Sequence, residues 1–215
     1  MIAAWPRSRI AEERRHRMMV CVITAGRIYP MWLESLQHME EIGSLLDLMK
    51  LAKVSTVLEI GAGPCGTAVM FAEAVGEKGQ VVSVDLPPEI GGTPLEYEKM
   101  AKAKAENWSM VRGESGANDT KAAVEKALAG RSVGLLFIDG EHTKAAASRD
   151  LEVYRGLVER ENGLIAFHDI TLQELWPWWC SLRGKRHPVR SLEFVNDKTC
   201  IGFGIGVLVG RDDGY

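Results

Sequence analysis

The stretch "STVLEIGAGPCGTAVMFAEAV", residues 55–75, joins an apolar run of strand length to a helical pattern through three glycines. Gly61, Gly63 and Gly66 give the spacing G-x-G-x-x-G directly after the predicted strand and before the predicted helix. Glycine lets a backbone turn sharply and approach a ligand closely. The spacing alone is a weak signal, because tight packing of a helix on a strand can also require glycine. It predicts a strand–turn–helix unit whose turn faces a ligand.

Short apolar runs and helical patterns alternate through most of the remaining chain. Alternation of this regularity predicts an α/β fold with a doubly wound, mostly parallel, seven-stranded sheet and helices on both faces. Two β-like runs at the end, separated only by the turn-forming residues 196–199, predict a C-terminal antiparallel hairpin. The predicted elements are "QVVSVDLP" (80–87), "PLEYEKMAKAKAENW" (94–108), "SMVRG" (109–113), "DTKAAVEKALAG" (119–130), "VGLLFID" (133–139), "TKAAASRDLEVYRGLVER" (143–160), "GLIAFHD" (163–169), "RSLEFV" (190–195) and "CIGFGIGVLVG" (200–210).

The residues before the opening stretch also carry helical patterns. "MWLESLQHMEEIGSLLDLMKL", residues 31–51, places apolar side chains at three- and four-residue steps and predicts an amphipathic core helix. We predict that residues 1–35 form an N-terminal helical extension and that residues 36–215 form a single domain.

One helix start is signalled by its capping residues. Thr93 and Glu96 stand three positions apart, with Pro94 between them. This arrangement predicts a capping box, in which the two side chains and the helix backbone satisfy each other's hydrogen bonds.

Composition excludes several classes of protein. A chain of 215 residues with 46% hydrophobic and 26% charged residues is typical of a globular protein. The net charge of −3 gives no overall basic field, so we predict no nucleic-acid partner. No apolar run approaches the roughly 18 residues of a membrane span, and the four widely spaced cysteines favour a reducing cytoplasm. The stretch at residues 14–26 has a faint likeness to a secretory signal, but Glu12 and Glu13 interrupt its basic part.

Two acids stand beside the glycine-rich turn. Asp85 ends the next predicted strand, 19 residues beyond Gly66, where a carboxylate can accept both hydroxyls of a ribose. Glu59 lies two residues before Gly61 and indicates a ligand that carries positive charge, because a pyrophosphate would gain nothing from it. Ligands of doubly wound sheets bind at these carboxyl ends of the strands.

The combination of "VLEIGAGPCG" and "VVSVDLP" resembles the first two motifs of the class I S-adenosylmethionine-dependent methyltransferases, which have a Rossmann-like fold. The resemblance covers the chain from about residue 40 to its end. It implies that the cofactor is S-adenosylmethionine. The cofactor-binding residues that it implies are Glu59, Gly61, Gly63, Gly66, Asp85 and Asp139, with Glu114 and Ser115 near the adenine. Glu114 and Ser115 are equally well explained as ordinary loop residues.

The stretch "FIDGEHTKAAASRDLEVYRGLVERENGLIAFHDI", residues 137–170, is similar to the branch that contains cephalosporin hydroxylase-like proteins, sugar O-methyltransferases and catechol O-methyltransferases. The resemblance implies a divalent metal, magnesium or manganese, held by Asp139, His168 and Asp169. His142 matches the position of a general base, and its ordinary pKa suits removal of a hydroxyl proton near neutrality. His168 departs from the oxygen ligand of relatives, and imidazole suits manganese, iron or zinc better than magnesium.

The function predicted from these motifs is methyl transfer from S-adenosylmethionine to a hydroxyl oxygen of a small molecule. An alternative is a metal-independent methyltransferase acting on nitrogen or carbon, in which Asp139 and Asp169 are helix caps and His142 a loop residue. A cofactor-binding protein without catalysis and a nicotinamide-dependent oxidoreductase are further alternatives. We predict no membrane partner, and the motifs leave both the substrate and a homo-oligomer open.

Overall fold

A computed structural model describes residues 21–24, 27–30, 37–184, 191–195 and 203–210 of the chain. The strands are β1 (Cys21–Thr24), β2 (Arg27–Pro30), β3 (Thr56–Ile60), β4 (Gln80–Asp85), β5 (Trp108–Arg112), β6 (Leu135–Ile138), β7 (Leu164–Phe167), β8 (Ser191–Phe194) and β9 (Ile205–Val209). The helices are α1 (Met39–Leu51), α2 (Gly66–Val75), α3 (Leu95–Lys102), α4 (Asn118–Leu128), α5 (Lys144–Tyr154) and α6 (Leu175–Gly184).

Seven of these strands form one sheet in the order β5-β4-β3-β6-β7-β9-β8. The strands from β5 to β7 are parallel, and β9 runs antiparallel to both β7 and β8. The order reverses at β3, so that β4 and β6 lie on either side of it. The predicted fold class is therefore confirmed, including the closing antiparallel strands. The predicted turn at residues 196–199 lies outside the described residues.

Helices cover both faces of the sheet because its parallel strands are apolar on both sides. Neighbouring residues of β3 point to opposite faces, so Val57 packs with α1 to α3 and Leu58 with α4 to α6. All five residues of β3 are buried. One of them is Glu59, the single charged residue of this strand, and its burial needs a separate explanation.

The tryptophans of α6 contribute to this core to different extents. Trp179 is fully buried, and Trp178 packs edge-on against Phe167 with ring centroids 5.1 Å apart. Trp176 stays partly exposed, beneath the Arg183 guanidinium. Within the described residues, every helix is too short or too polar to span a bilayer.

One prediction for the N-terminal part is wrong where the structure describes it. Residues 1–35 were expected to be helical, yet β1 and β2 pair antiparallel with each other. The β-branched residues Val22, Ile23 and Thr24 favour this conformation over a helix. The amphipathic helix predicted over 31–51 is confirmed from Met39 to Leu51, and residues 31–36 lie outside the described part.

The predicted capping box is also wrong. α3 begins at Leu95 with Pro94 as its N-cap, and no side chain caps it. The Thr93 hydroxyl points elsewhere, lying 2.7 Å from the Gly63 carbonyl oxygen and 2.5 Å from Oδ2 of Asp85. A tertiary contact to the glycine-rich turn has replaced the local one.

Candidate active site

The glycine-rich turn after β3 packs directly against the residue that follows β6. Gly61 has a φ of +90°, and a Cβ atom built there would lie 2.2 Å from the carbonyl oxygen of Asp139. Glycine is therefore required at this position by the protein's own backbone. Gly63 has a φ of +46° with open space where its Cβ would stand, and α2 begins at Gly66. The turn thus has one face against Asp139 and one face open.

Asp85 holds this turn in shape. Its Oδ2 accepts hydrogen bonds from the backbone N–H groups of Ala62 and Gly63, each at 3.1 Å, and its Oδ1 accepts from Leu86 N–H at 2.6 Å. Thr93 adds its hydroxyl to Oδ2, a contact that no sequence motif indicated. The carboxylate lies at the carboxyl end of β4, beside the point where the strand order reverses. That location is the usual one for a ligand in a doubly wound sheet.

Glu59 is completely buried beneath the turn. The Trp108 indole donates to the Ser83 hydroxyl at 2.8 Å, and this hydroxyl donates to Oε2 of Glu59. Oε1 has no hydrogen-bond partner among the described residues. Burial raises the pKa of Glu59 to about 8, and the negative charges of Asp139 and Asp85 add to the effect. A cationic ligand beside Oε1 would reverse the shift by favouring the ionised form.

Four side chains converge where β6 and β7 end side by side. His168 Nδ1 lies 2.9 Å from Oδ1 of Asp139 and 3.3 Å from Oδ1 of Asp169. His142 joins the same two acids from the solvent side, with Nε2 3.4 Å from Oδ1 of Asp139 and Nδ1 3.1 Å from Oδ2 of Asp169. The predicted meeting of Asp139 and Asp169 at one cleft is therefore confirmed by geometry, and both histidines lie between them.

Charge pairing explains why these ionisable groups tolerate burial. Burial lowers the pKa of His168, but the facing Asp139 carboxylate outweighs it and raises that pKa to about 9. Burial likewise raises the pKa of Asp139, yet the two imidazoles hold it below its usual value. The hydrogen bond to Asp139 raises the pKa of His142, which is 43% exposed. Each group thus stabilises the charged form of its neighbour.

Helix capping does not account for these residues. The N-cap of α5 is Thr143, whose hydroxyl accepts from Ala146 N–H at 3.2 Å. α6 begins at Leu175, six residues after Asp169. Asp169 also has a φ of +56°, a left-handed conformation that non-glycine residues adopt infrequently and that is often found at functional sites. The alternative interpretation of Asp139 and Asp169 as helix caps is therefore wrong.

The donor set at this cleft fits a divalent cation. Asp139, His142 and His168 each offer a ligand atom within 4.8 Å of the others. His168 is 5% exposed, and its Nε2 has no hydrogen-bond partner among the described residues, which is unusual for a buried polar atom. A mixture of imidazole and carboxylate suits manganese, iron or zinc better than magnesium. The set differs from the predicted one in containing His142, while Asp169 lies against both histidines.

The loop after β5 brings together the residues expected near an adenine. Ser115 donates its hydroxyl to Oδ1 of the buried Asp150 at 2.5 Å, and Tyr154 donates to the Ser115 carbonyl at 2.7 Å. Glu114 is exposed and pairs with Arg149 at 3.2 Å. The loop is well anchored on α5, and its contact with a nucleoside stays a prediction.

A family model described as a methyltransferase domain matches residues 58–170, a span that contains every predicted site residue. This chain belongs to that methyltransferase family. The resemblance on the motifs of β3 and β4 is thereby confirmed at the level of the family. No curated protein matches the chain in sequence.

Solved structures share the fold of this methyltransferase at low sequence identity. The O-methyltransferase TomG from Streptomyces achromogenes, involved in tomaymycin synthesis and solved with SAM, has a TM-score of 0.64 at 14% identity over 84% of this chain and 82% of its own. The O-methyltransferase from Bacillus cereus, solved with SAH, has a TM-score of 0.57 at 14% identity over 83% and 84%. These likenesses establish a common fold.

Proposed function

We propose that this methyltransferase transfers the methyl group of S-adenosylmethionine to a hydroxyl oxygen of a small molecule, assisted by a divalent cation. The observation that carries the proposal is the cluster of Asp139, His142, His168 and Asp169 beside the glycine-rich turn. Gly61 meets the Asp139 backbone, so that a cofactor on the turn and an acceptor at the cluster would be neighbours.

The cofactor side is supported by charge. Glu59 is buried with one oxygen unsatisfied among the described residues, and a sulfonium or ammonium group is the kind of ligand that would stabilise its carboxylate. Asp85 stands at the switch point of the sheet, in the position suited to a ribose. A pyrophosphate cofactor would gain nothing from Glu59, because an anionic ligand would keep this buried carboxyl protonated, and this argues against the nicotinamide alternative.

The acceptor side is supported by the placement of His142. Its imidazole lies between two carboxylates at the open side of the cleft, where it can take a proton from an acceptor hydroxyl while Asp169 and Asp139 stabilise the imidazolium that forms. Asp139 and His168, which belong to both the predicted set and the observed one, would hold the cation with Asp169, so that His142 is left to act as the base. When bound, a divalent cation lowers the pKa of a coordinated hydroxyl and orients it.

Apolar side chains wall the same cleft on the side of β7 and α6. Phe167, Ile170, Leu175 and Trp178 line the cavity that also contains His142 and His168. Binding sites for small molecules combine such apolar walls with a few convergent polar groups. Catalysis would then consist chiefly of positioning the acceptor oxygen in line with the sulfonium methyl.

Calorimetric titration of EDTA-treated protein tests the proposal. S-adenosylhomocysteine is titrated first with NAD as the control ligand, followed by magnesium and manganese in the cofactor-bound state. Binding of S-adenosylhomocysteine followed by saturable binding of manganese supports the proposal. Cofactor binding without metal binding would favour the metal-independent alternative on nitrogen or carbon, and an absence of cofactor binding would overturn methyl transfer altogether.

A further inference from the structure

A glutamine outside every recognised motif contacts the centre of the cleft. Gln37 Nε2 donates to Oδ2 of Asp139 at 2.6 Å, although 102 residues separate the two in sequence. Gln37 lies two residues before α1 and is 9% exposed. A carboxylate oxygen can only accept, so the amide nitrogen must face it. This hydrogen bond ties the flank of α1 to Asp139.

The start of α1 is anchored firmly enough to hold that amide in place. Glu41, 2% exposed, accepts a hydrogen bond from Gly204 N–H at 2.8 Å, and the His38 ring stands edge-on to Phe203 with centroids 6.0 Å apart. Gly204 in turn accepts from Ile170 N–H at 3.1 Å, in the segment that follows Asp169. The flank of α1 is thereby tied to the same loop that carries the other half of the cluster.

We propose that Gln37 is a positioning residue that sets the rotation of the Asp139 carboxylate. A carboxylate turns readily about its last torsion, which has a broad, roughly two-fold profile. Donation from Gln37 to Oδ2 leaves Oδ1 directed at His168 and His142, where the contacts of 2.9 and 3.4 Å are made. Groups that orient a ligating carboxylate in this way are as much a part of a metal site as its ligands. The inference rests on the proposed function, because it assigns Asp139 to the cation.

Gln37→Met tests this role, since it keeps the length and flexibility of the side chain and removes the donor. Gln80→Met is the matched control, because Gln80 also donates its amide, to the Ala127 carbonyl at 2.8 Å, away from the cleft. Manganese affinity of the S-adenosylhomocysteine-bound protein is measured by calorimetry. We expect Gln37→Met to weaken it by roughly 10- to 100-fold. Affinity for S-adenosylhomocysteine should stay unchanged in both variants, and manganese affinity unchanged in Gln80→Met. Equal manganese affinity in Gln37→Met and the wild-type protein would overturn the proposal.

A crystal structure of Gln37→Met separates this inference from the proposed function. If the wild-type protein binds no manganese, the cation in the proposed function fails, and the orientation of Asp139 alone decides the role of Gln37. A rotated carboxylate that has lost its Oδ1 contact with His168 supports positioning, and an unrotated one overturns it. If Gln37→Met does not fold, Gln37→Asn replaces it, because its shorter side chain withdraws the amide from Oδ2 and the same changes are expected.

Discussion

His168 Nδ1 lies 2.9 Å from Oδ1 of Asp139, although the two residues follow different strands and are 29 positions apart in sequence. The parallel register of β6 and β7 brings them together, with Ile138 opposite Phe167 just before them. Both side chains are largely buried, so each charge depends on the other for compensation. Loss of either partner would leave the other with less compensation, from Asp169 for His168 and from His142 for Asp139.

Substitution of Asp139 or Asp169 by alanine should abolish metal-stimulated methyl transfer while leaving cofactor affinity within a few fold. The physical reason is that each variant removes a carboxylate from the cluster proposed to hold the cation but leaves Glu59 and Asp85 in place. Turnover with manganese and S-adenosylhomocysteine binding are measured side by side, with the exposed Asp47→Ala as control. Metal-stimulated turnover at the wild-type rate in both cluster variants would remove the cation from the mechanism.

His142→Ala should lower the rate of methyl transfer by about 10²- to 10⁴-fold, the usual contribution of a general base. The loss should shrink as pH rises, because hydroxide and deprotonated acceptor increasingly replace the missing imidazole. The rate is measured from pH 6 to 10 in the variant and the wild-type protein, with the exposed Asp47→Ala as the control. A variant whose loss is the same at every pH would show that His142 does not act as a base.

Cofactor binding should release a proton from Glu59 at neutral pH. Its pKa of about 8 means that the carboxyl is largely protonated at pH 7 before binding, and a cationic ligand would favour its ionisation. Calorimetry of S-adenosylmethionine binding in buffers with different ionisation enthalpies counts the protons released. Release approaching one proton near pH 7, abolished in Glu59→Gln, is expected. A binding enthalpy that is the same in every buffer would contradict a protonated Glu59.

The alternation of strands and helices was sufficient to predict the sheet, because hydrophobic periodicity is a local property that parallel strands express strongly. The acids at the strand ends were predictable for a similar reason. A polar residue that closes an apolar run must lie at the edge of the sheet, so the convergence of Asp139 and Asp169 followed once β6 and β7 were neighbours. His142 and His168 follow the same two strands, so they lie at the same edge of the sheet as the two acids.

What could not be predicted are contacts between residues that are far apart in sequence and carry no pattern. Gln37 reaches Asp139 across 102 residues, and a single glutamine before a helix has no distinguishing signal. The capping box predicted for Thr93 was wrong for a related reason. Its spacing with Glu96 fits a capping box, but its hydroxyl contacts the half-buried Asp85 and the Gly63 carbonyl instead. A capping preference read from local spacing is therefore overridden where a tertiary hydrogen-bond partner is available.

The free energy of unfolding of the EDTA-treated protein should fall as pH rises from about 6.5 to 9, because of His168. Its folded pKa of about 9 exceeds the ordinary 6.5, so the folded state retains a proton that the unfolded chain releases in this window. The stabilisation is complete below 6.5 and is lost as pH passes through 9, at up to about 1.4 kcal/mol per pH unit for one proton. Urea unfolding at a series of pH values measures it.

His168→Asn should remove the fall in the free energy of unfolding between about pH 6.5 and 9, whereas Glu59→Gln should remove a fall that begins at lower pH. The raised pKa of Glu59 makes stability fall between the ordinary carboxyl value of 4.5 and about 8. Between pH 8 and 9 the Glu59 contribution no longer changes. The His142→Ala background removes the other imidazole whose pKa is raised, so the comparison in that background isolates His168. A slope there that survives in His168→Asn would show that the imidazole is not held protonated by Asp139, and the charge pairing at the centre of the cleft would have to be revised.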